Sequence, residues 1–212
     1  MDENFIEKVY PFVNQIIDEP HIALLRKRFF SLVGDIYENE DFYEERINAF
    51  LEWLFVDAET PTIKRPLLGR IVGKLNGDIR RMAEAMIRSR RSLFILLKKE
   101  REFAVLEDIF DRDKFFVDPD PRIENTEKKS LLECRVGVLD GRSRIMSTYI
   151  KYPDKVKKIL MRRLKKIVGE DIDRNRERFL TYSFALFVRS ERYRNVSIEK
   201  IAQSLDYIIT GK

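Results

Sequence analysis

The run Ser92-Leu93-Phe94-Ile95-Leu96-Leu97 divides this chain. Before it, apolar residues recur at three- and four-residue spacing, as on amphipathic helices. From Leu93 onward they form short runs bounded by charge, as in strands. Residues 93–97, 103–109, 115–117, 131–139 and 145–150 are strand candidates. Asp118-Pro119-Asp120-Pro121 is strong turn punctuation, and Asp140-Gly141 between two β-like runs is a two-residue hairpin signal. The expected module over 92–152 is a small antiparallel five-strand barrel, OB-like or SH3-like, a choice periodicity cannot make.

Toward the N-terminus, Phe5, Ile6, Val9, Phe12, Val13, Ile16 and Ile17 keep helical spacing, and Pro11 must start, kink or interrupt that helix. Asp18-Glu19-Pro20 suits a helix start, and Leu25, Phe29, Leu32, Val33 and Ile36 carry a stripe expected to end near Glu38. A third helix is read over 41–56, followed by Thr60-Pro61, and a fourth over 66–75. Asn76-Gly77-Asp78 then caps a fifth that carries Ile79, Met82, Ala83, Met86 and Ile87. Toward the C-terminus, Pro153 opens a helix with Val156, Ile159, Leu160, Leu164, Ile167 and Val168 on one stripe, ended by Gly169. Helices over 172–190 and from Ser197 complete the chain. The fold class is α+β and mainly helical: an N-terminal helical section (1–91), the barrel-like module (92–152) and C-terminal helices (153–212). No Gly/Ser linker separates the sections, so they are expected to pack together.

Composition bounds the function. Hydrophobic residues make up 44% and aromatics 11%, enough apolar surface to offset chain entropy, so an ordered fold is expected. The longest apolar runs fall far short of the roughly 20 residues that span a bilayer, so no transmembrane segment is expected. The start Met1-Asp2-Glu3-Asn4-Phe5 is acidic, unlike a secretory signal, and the single cysteine, Cys134, cannot form an intrachain disulfide. Together these indicate a cytoplasmic protein. Charge is unevenly spread: residues 1–60 hold 5 basic and 14 acidic side chains, whereas residues 61–101 hold 12 and 3. Residues 102–150 hold 8 and 11, and residues 151–212 hold 16 and 8.

The order Phe50-Leu51-Glu52-Trp53-Leu54-Phe55-Val56-Asp57, Thr60-Pro61, Ser92-Leu93-Phe94 and Leu106-Glu107-Asp108-Ile109-Phe110 resembles a group of bacterial proteins of unknown function, often associated with a SEC-C motif. In that group a Phe-x-x-Trp-Phe-like helix precedes a small β-module. The resemblance covers about residues 47–150. It implies helices followed by a barrel and transfers no functional residue. The SEC-C motif itself is a Cys-rich zinc-binding sequence, and a chain with one Cys and one His lacks it.

The strongest patterned feature is Lys155, Lys157, Lys158, Arg162, Arg163, Lys165 and Lys166, opposite an apolar stripe with no acid among them. Such a helix face neutralises phosphates and binds nucleic acid without sequence preference; Lys157, Lys158, Arg162, Lys165 and Lys166 are the expected contacts. Arg80, Arg81, Arg88, Arg90 and Arg91 could extend the face, or the basic blocks could simply pair with the acidic N-terminal helices. Contact with an anionic membrane surface is a weaker reading, because the apolar stripe suits a protein core. Phe94, Phe103, Phe110, Phe115 and Phe116 could stack bases, although alternating inward positions in a small barrel need such residues as core. Asp108, Asp111, Asp113, Asp118 and Asp120 lack the spacing of a calcium loop and read as solvated turn carboxylates. His21 reads as structural or exposed, and Cys134 as a small buried thiol. No glycine-rich phosphate cradle, catalytic constellation or metal-ligand spacing is present, so an enzyme is the least expected class, with no cofactor. The expectation is a non-catalytic nucleic-acid-binding protein, RNA more than DNA. The alternative is a protein–protein adaptor or self-assembling scaffold that uses its opposed acidic and basic surfaces.

Overall fold

Asp18 caps the clearest N-terminal helix, accepting from the His21 N–H at 3.0 Å. The computed structural model describes residues 3–58, 66–146, 149–167 and 172–210; Thr60-Pro61, Val168 and Gly169 lie outside them. α1 (Glu3–Val13) holds Pro11 in its last turn, and α2 spans Glu19–Val33. α2 stops short of the expected Glu38 because Gly34 takes φ +106, a conformation that glycine adopts without steric cost, while its N–H still reaches Phe30 O at 2.8 Å. α3 (Tyr43–Glu52) runs into a π-helical turn, Trp53–Asp57, closed by the Ala58 N–H on Trp53 O at 2.7 Å. α4 (Leu67–Ile71), a 3₁₀ turn (Val72–Lys74) and α5 (Gly77–Ile87) complete the N-terminal section.

One curled antiparallel sheet follows. Its strands are β1 (Arg90–Lys99), β2 (Ala104–Asp108), β3 (Lys114–Val117), β4 (Leu131–Leu139), β5 (Arg142–Ile145) and β6 (Ile150–Tyr152). The path is β3-β2-β1-β4-β5, with β6 added to β4. The candidate at 145–150 is therefore corrected: its first residue ends β5 and its last begins β6. Asp140 and Gly141, at φ 52 and 76, form the expected tight hairpin between β4 and β5. The segment read as plain turn contains α6 (Pro121–Glu124), whose start is capped by the Asp120 carboxylate on the Arg122 N–H at 2.9 Å. The two ends of the path meet where the Asp118 N–H donates to Ser143 O at 2.8 Å. The order around the curl is thus β1-β2-β3-β5-β4, with α6 between β3 and β4 and a long β1 shared by β2 and β4. This is the Greek-key connectivity of an OB-type half-barrel.

Strand alternation sends side chains to two cores. Phe94, Leu96, Leu106, Leu132, Cys134 and Val136 fill the barrel interior. Leu93, Leu131, Ile150 and Tyr152 point the other way, into a larger core that runs from Phe5 on α1 to Ile208. That core is completed by α7 (Asp154–Ile167), α8 (Ile172–Arg192), α9 (Ile198–Ser204) and α10 (Asp206–Thr210). The sections pack together through the outer sheet face. At Gly137 of β4, α5 comes so close that an added Cβ would lie 2.9 Å from Ser89 Cβ and 3.1 Å from the Ala85 carbonyl oxygen. Because that neighbour is backbone, Gly137→Val should destabilise the fold by about 1–3 kcal/mol and lower the Tm by several degrees. Calorimetry of the purified variant checks this; an unchanged Tm would show that α5 shifts freely.

Candidate nucleic-acid interface

Helical spacing on α7 buries Val156, Ile159, Leu160 and Leu164 and turns the opposite face to solvent. The basic residues there have unequal roles. Arg163 lies toward the interior and pairs with Asp206 at 3.0 Å, and Lys155 reaches Glu191 at 3.3 Å. Lys157 is half-buried and donates to the carbonyl of Lys129. Lys158 and Lys165 are exposed and have no ion pair with a described residue, while exposed Arg162 is only 3.9 Å from equally open Glu199. Lys166 lies outside the residues whose side chains are described. The second basic block is also paired within the chain. Arg80 and Arg81 pair with Glu84 and Asp78 at 2.9 and 2.6 Å, and Arg90 and Arg91 turn to acids of the β-module.

The aromatic residues of the module also divide. Phe94 is fully buried and meets Phe115 edge-on at 5.6 Å within the barrel, and Phe110 packs against Phe179. Phe116 instead stands on the outer face of β3 with 62% of its surface exposed, 5.8 Å from Phe103. A β-bulge explains what accompanies it. In β1, Phe94 and Leu96 point inward opposite Asp108 and Leu106. The register then shifts across Leu97, so that Lys98 pairs with Val105, which in turn pairs with Phe116. Lys98, Val105 and Phe116 share the outward parity across three strands, with Val105 buried, Lys98 and Phe116 exposed, and the Lys98 ammonium 5.6 Å from the centre of the Phe103 ring. Just before the bulge, Leu96 O accepts from the Lys129 N–H at 2.7 Å, and Lys129 O accepts from Lys157. A chain of contacts therefore joins the aromatic row to the basic face of α7.

On β1 and β4 lies a buried charge cluster that the sequence reading missed. Arg91 on β1 and Arg135 on β4 sit directly opposite one another. Arg135, 2% exposed, donates to Glu52 at 2.9 Å and to both oxygens of Asp57 at 2.7 and 2.6 Å. The π turn makes this possible, since its wider ring brings Glu52 and Asp57, five positions apart, to one side. Arg91 holds Glu133 at 3.0 Å, and the Tyr152 hydroxyl donates to the second Glu133 oxygen. Burial alone would lower the Arg91 pKa, but Glu133, Asp57 and Glu52 outweigh it and raise it; burial and Glu133 push the Tyr152 phenol well up.

The aspartates also need correcting. Asp108 is fully buried, accepts from the Phe110 N–H at 2.9 Å and from Arg176 at 3.0 Å, and burial pushes its pKa up. Asp111 bridges Arg90 and Arg176 at 2.7 and 2.9 Å. Cys134 is buried in the barrel, and burial raises its pKa strongly, as expected of an inert thiol. Exposed His21 bonds Asp18.

No family model, curated protein or solved structure matches this chain.

Arg135→Met would leave Glu52 and Asp57 without their guanidinium and should cost about 3–5 kcal/mol. Lys158→Ala, on the solvent face, should change stability by no more than about 0.5 kcal/mol. Urea unfolding of the two variants separates the structural from the surface charges.

Proposed function

We propose that the protein binds single-stranded nucleic acid, RNA more than DNA, and catalyses no reaction on it. The observation that carries this reading is the outward row Lys98–Val105–Phe116, completed by Phe103. An exposed phenylalanine on a strand, beside a second aromatic ring and a lysine, is what an unstacked base packs against, whereas an isolated exposed apolar side chain would need no explanation. Lys158, Arg162 and Lys165 supply phosphate contacts on α7, and exposed Lys128 and Lys129 belong to the segment whose backbone bonds both Leu96 and Lys157. Lys157, held by the Lys129 carbonyl, positions the helix against the module more than it meets solvent. Duplexes keep their bases stacked, so they would engage only the basic face. RNA is favoured because its recognition commonly targets splayed single-stranded bases.

The two halves of the surface give different signatures in anisotropy titrations of labelled single-stranded RNA, single-stranded DNA and duplex DNA at several salt concentrations. Combined Lys158→Glu, Arg162→Glu and Lys165→Glu substitutions should weaken binding to all three. They should also flatten the log–log salt slope by about 0.7 per lost contact on single strands. Phe116→Ala should weaken single strands about tenfold, leave duplex binding alone and keep the slope. Absence of salt-dependent binding by the unmodified protein would sink the proposal and turn the search to protein partners. Loss of self-association in the triple variant would favour the scaffold reading.

A further inference from the structure

A cleft of about 630 Å³ opens between α2, the π turn, α8, α10 and the outer face of β1 and β4. Its chemistry is graded. On the floor, Asp57 lies with the guanidiniums of Arg91 and Arg135, which buried Glu133 and Glu52 also hold. Asp57, the partly open carboxylate at 28% side-chain exposure, accepts from Arg135 and also lines the space as an acceptor. The walls are Trp53 and Tyr207 together with aliphatic side chains. Arg28 and Arg178 line the cleft from α2 and α8, and neither has an ion pair with a described residue. Arg176 is claimed by Asp108 and Asp111, and Glu177 is itself engaged.

A ligand matched to this gradient carries an anion at one end and a flat, N–H-bearing ring at the other. Its anion would meet Arg28 and Arg178, its ring would lie against Trp53 and Tyr207, and the N–H groups at the ring edge, the N1–H and amino group of guanine or the amino group of adenine, would donate to Asp57. We infer that the cleft is a binding site for a purine mononucleotide. The π turn that brings Asp57 to Arg135 also builds the cleft. It is an irregularity that costs regular helix geometry, and it places both Trp53 and Asp57 on the cleft. The site is independent of the proposed nucleic-acid surface: none of Arg28, Trp53, Asp57 or Arg178 belongs to the aromatic row or to α7.

Trp53 is the only tryptophan of the chain, so its emission reports occupancy directly. The intact protein is titrated with GMP and AMP, and separately with guanosine and inorganic phosphate, with calorimetric titration alongside. Either nucleotide should bind saturably and change Trp53 emission, while guanosine and phosphate bind at least about tenfold more weakly. Arg28→Ala combined with Arg178→Ala should weaken the nucleotide about tenfold with Tm and RNA affinity unchanged. Absence of saturable binding to both nucleotides in both measurements overturns the assignment. So does undiminished affinity in the double variant, and so does phosphate binding as tightly as the nucleotide. RNA binding that fails while GMP or AMP binds would reject only the nucleic-acid surface.

Discussion

Arg91 and Arg135 face one another across β1 and β4, an arrangement that is unfavourable for two like charges on neighbouring strands and untenable when both are turned toward a core. What makes it stable comes from elsewhere in the chain. Glu133 arises on the sheet itself, but Glu52 and Asp57 are delivered by the end of α3 and the π turn. The sheet and the N-terminal helices therefore specify each other, because neither side of this cluster can be buried alone. Alternatives in which α3 slides along the sheet lose an ion pair, whereas purely apolar packing would tolerate such slippage. The same cluster opens on the cleft at Asp57.

A second constraint is the single extra residue in β1. Without the shift across Leu97, Lys98 would share the inward parity of Phe94 and Leu96; the shift gives that parity to Lys99, which lies opposite Ala104 and whose ammonium reaches Glu124 O at 2.8 Å. With it, the first half of β1 builds the barrel core while the second half contributes a cation to an outward aromatic row. One irregularity separates packing from surface chemistry on the same strand. Gly137 does comparable work on β4, where the absence of a side chain lets α5 approach the sheet and lets the helical core form beside Arg135.

Much of the charge pairing joins parts of the chain that are distant in sequence. The acidic first section meets arginines far downstream: Glu40 accepts from Arg192, Asp41 from Arg194, and Glu52 and Asp57 from Arg135. Buried Arg46 also draws on Glu40 and stacks over Phe30 at 5.5 Å, so one carboxylate joins α2, α3 and α8. On α7 the pairing is selective. Arg163 and Lys155 hold neighbouring helices, Lys157 holds the β-module, and Lys158 and Lys165 are left to solvent. A run of seven basic residues thus contains both structural and available charges.

The helices were legible because their periodicity is local: Val156, Ile159, Leu160 and Leu164 lie on one stripe in any context that permits a helix. Asp18 as a cap and Asp140-Gly141 as a hairpin were legible for the same reason, since the backbone they require is set by two or three residues. The basic face of α7 was visible as composition, but not which of its members remain free. The bulge at Leu97, the π turn after Glu52, the exposure of Phe116 against the burial of Phe115, and the burial of Asp108 were not readable. Each depends on what lies across a strand or on a neighbouring helix. The sequence by itself determined the α+β class, the order of its three sections and the amphipathic faces that had to be buried. Only the tertiary structure decided strand order, register and the partner of each charge, because cross-strand pairing and buried ion pairs join residues tens of positions apart, whose preferences appear only when both are brought together.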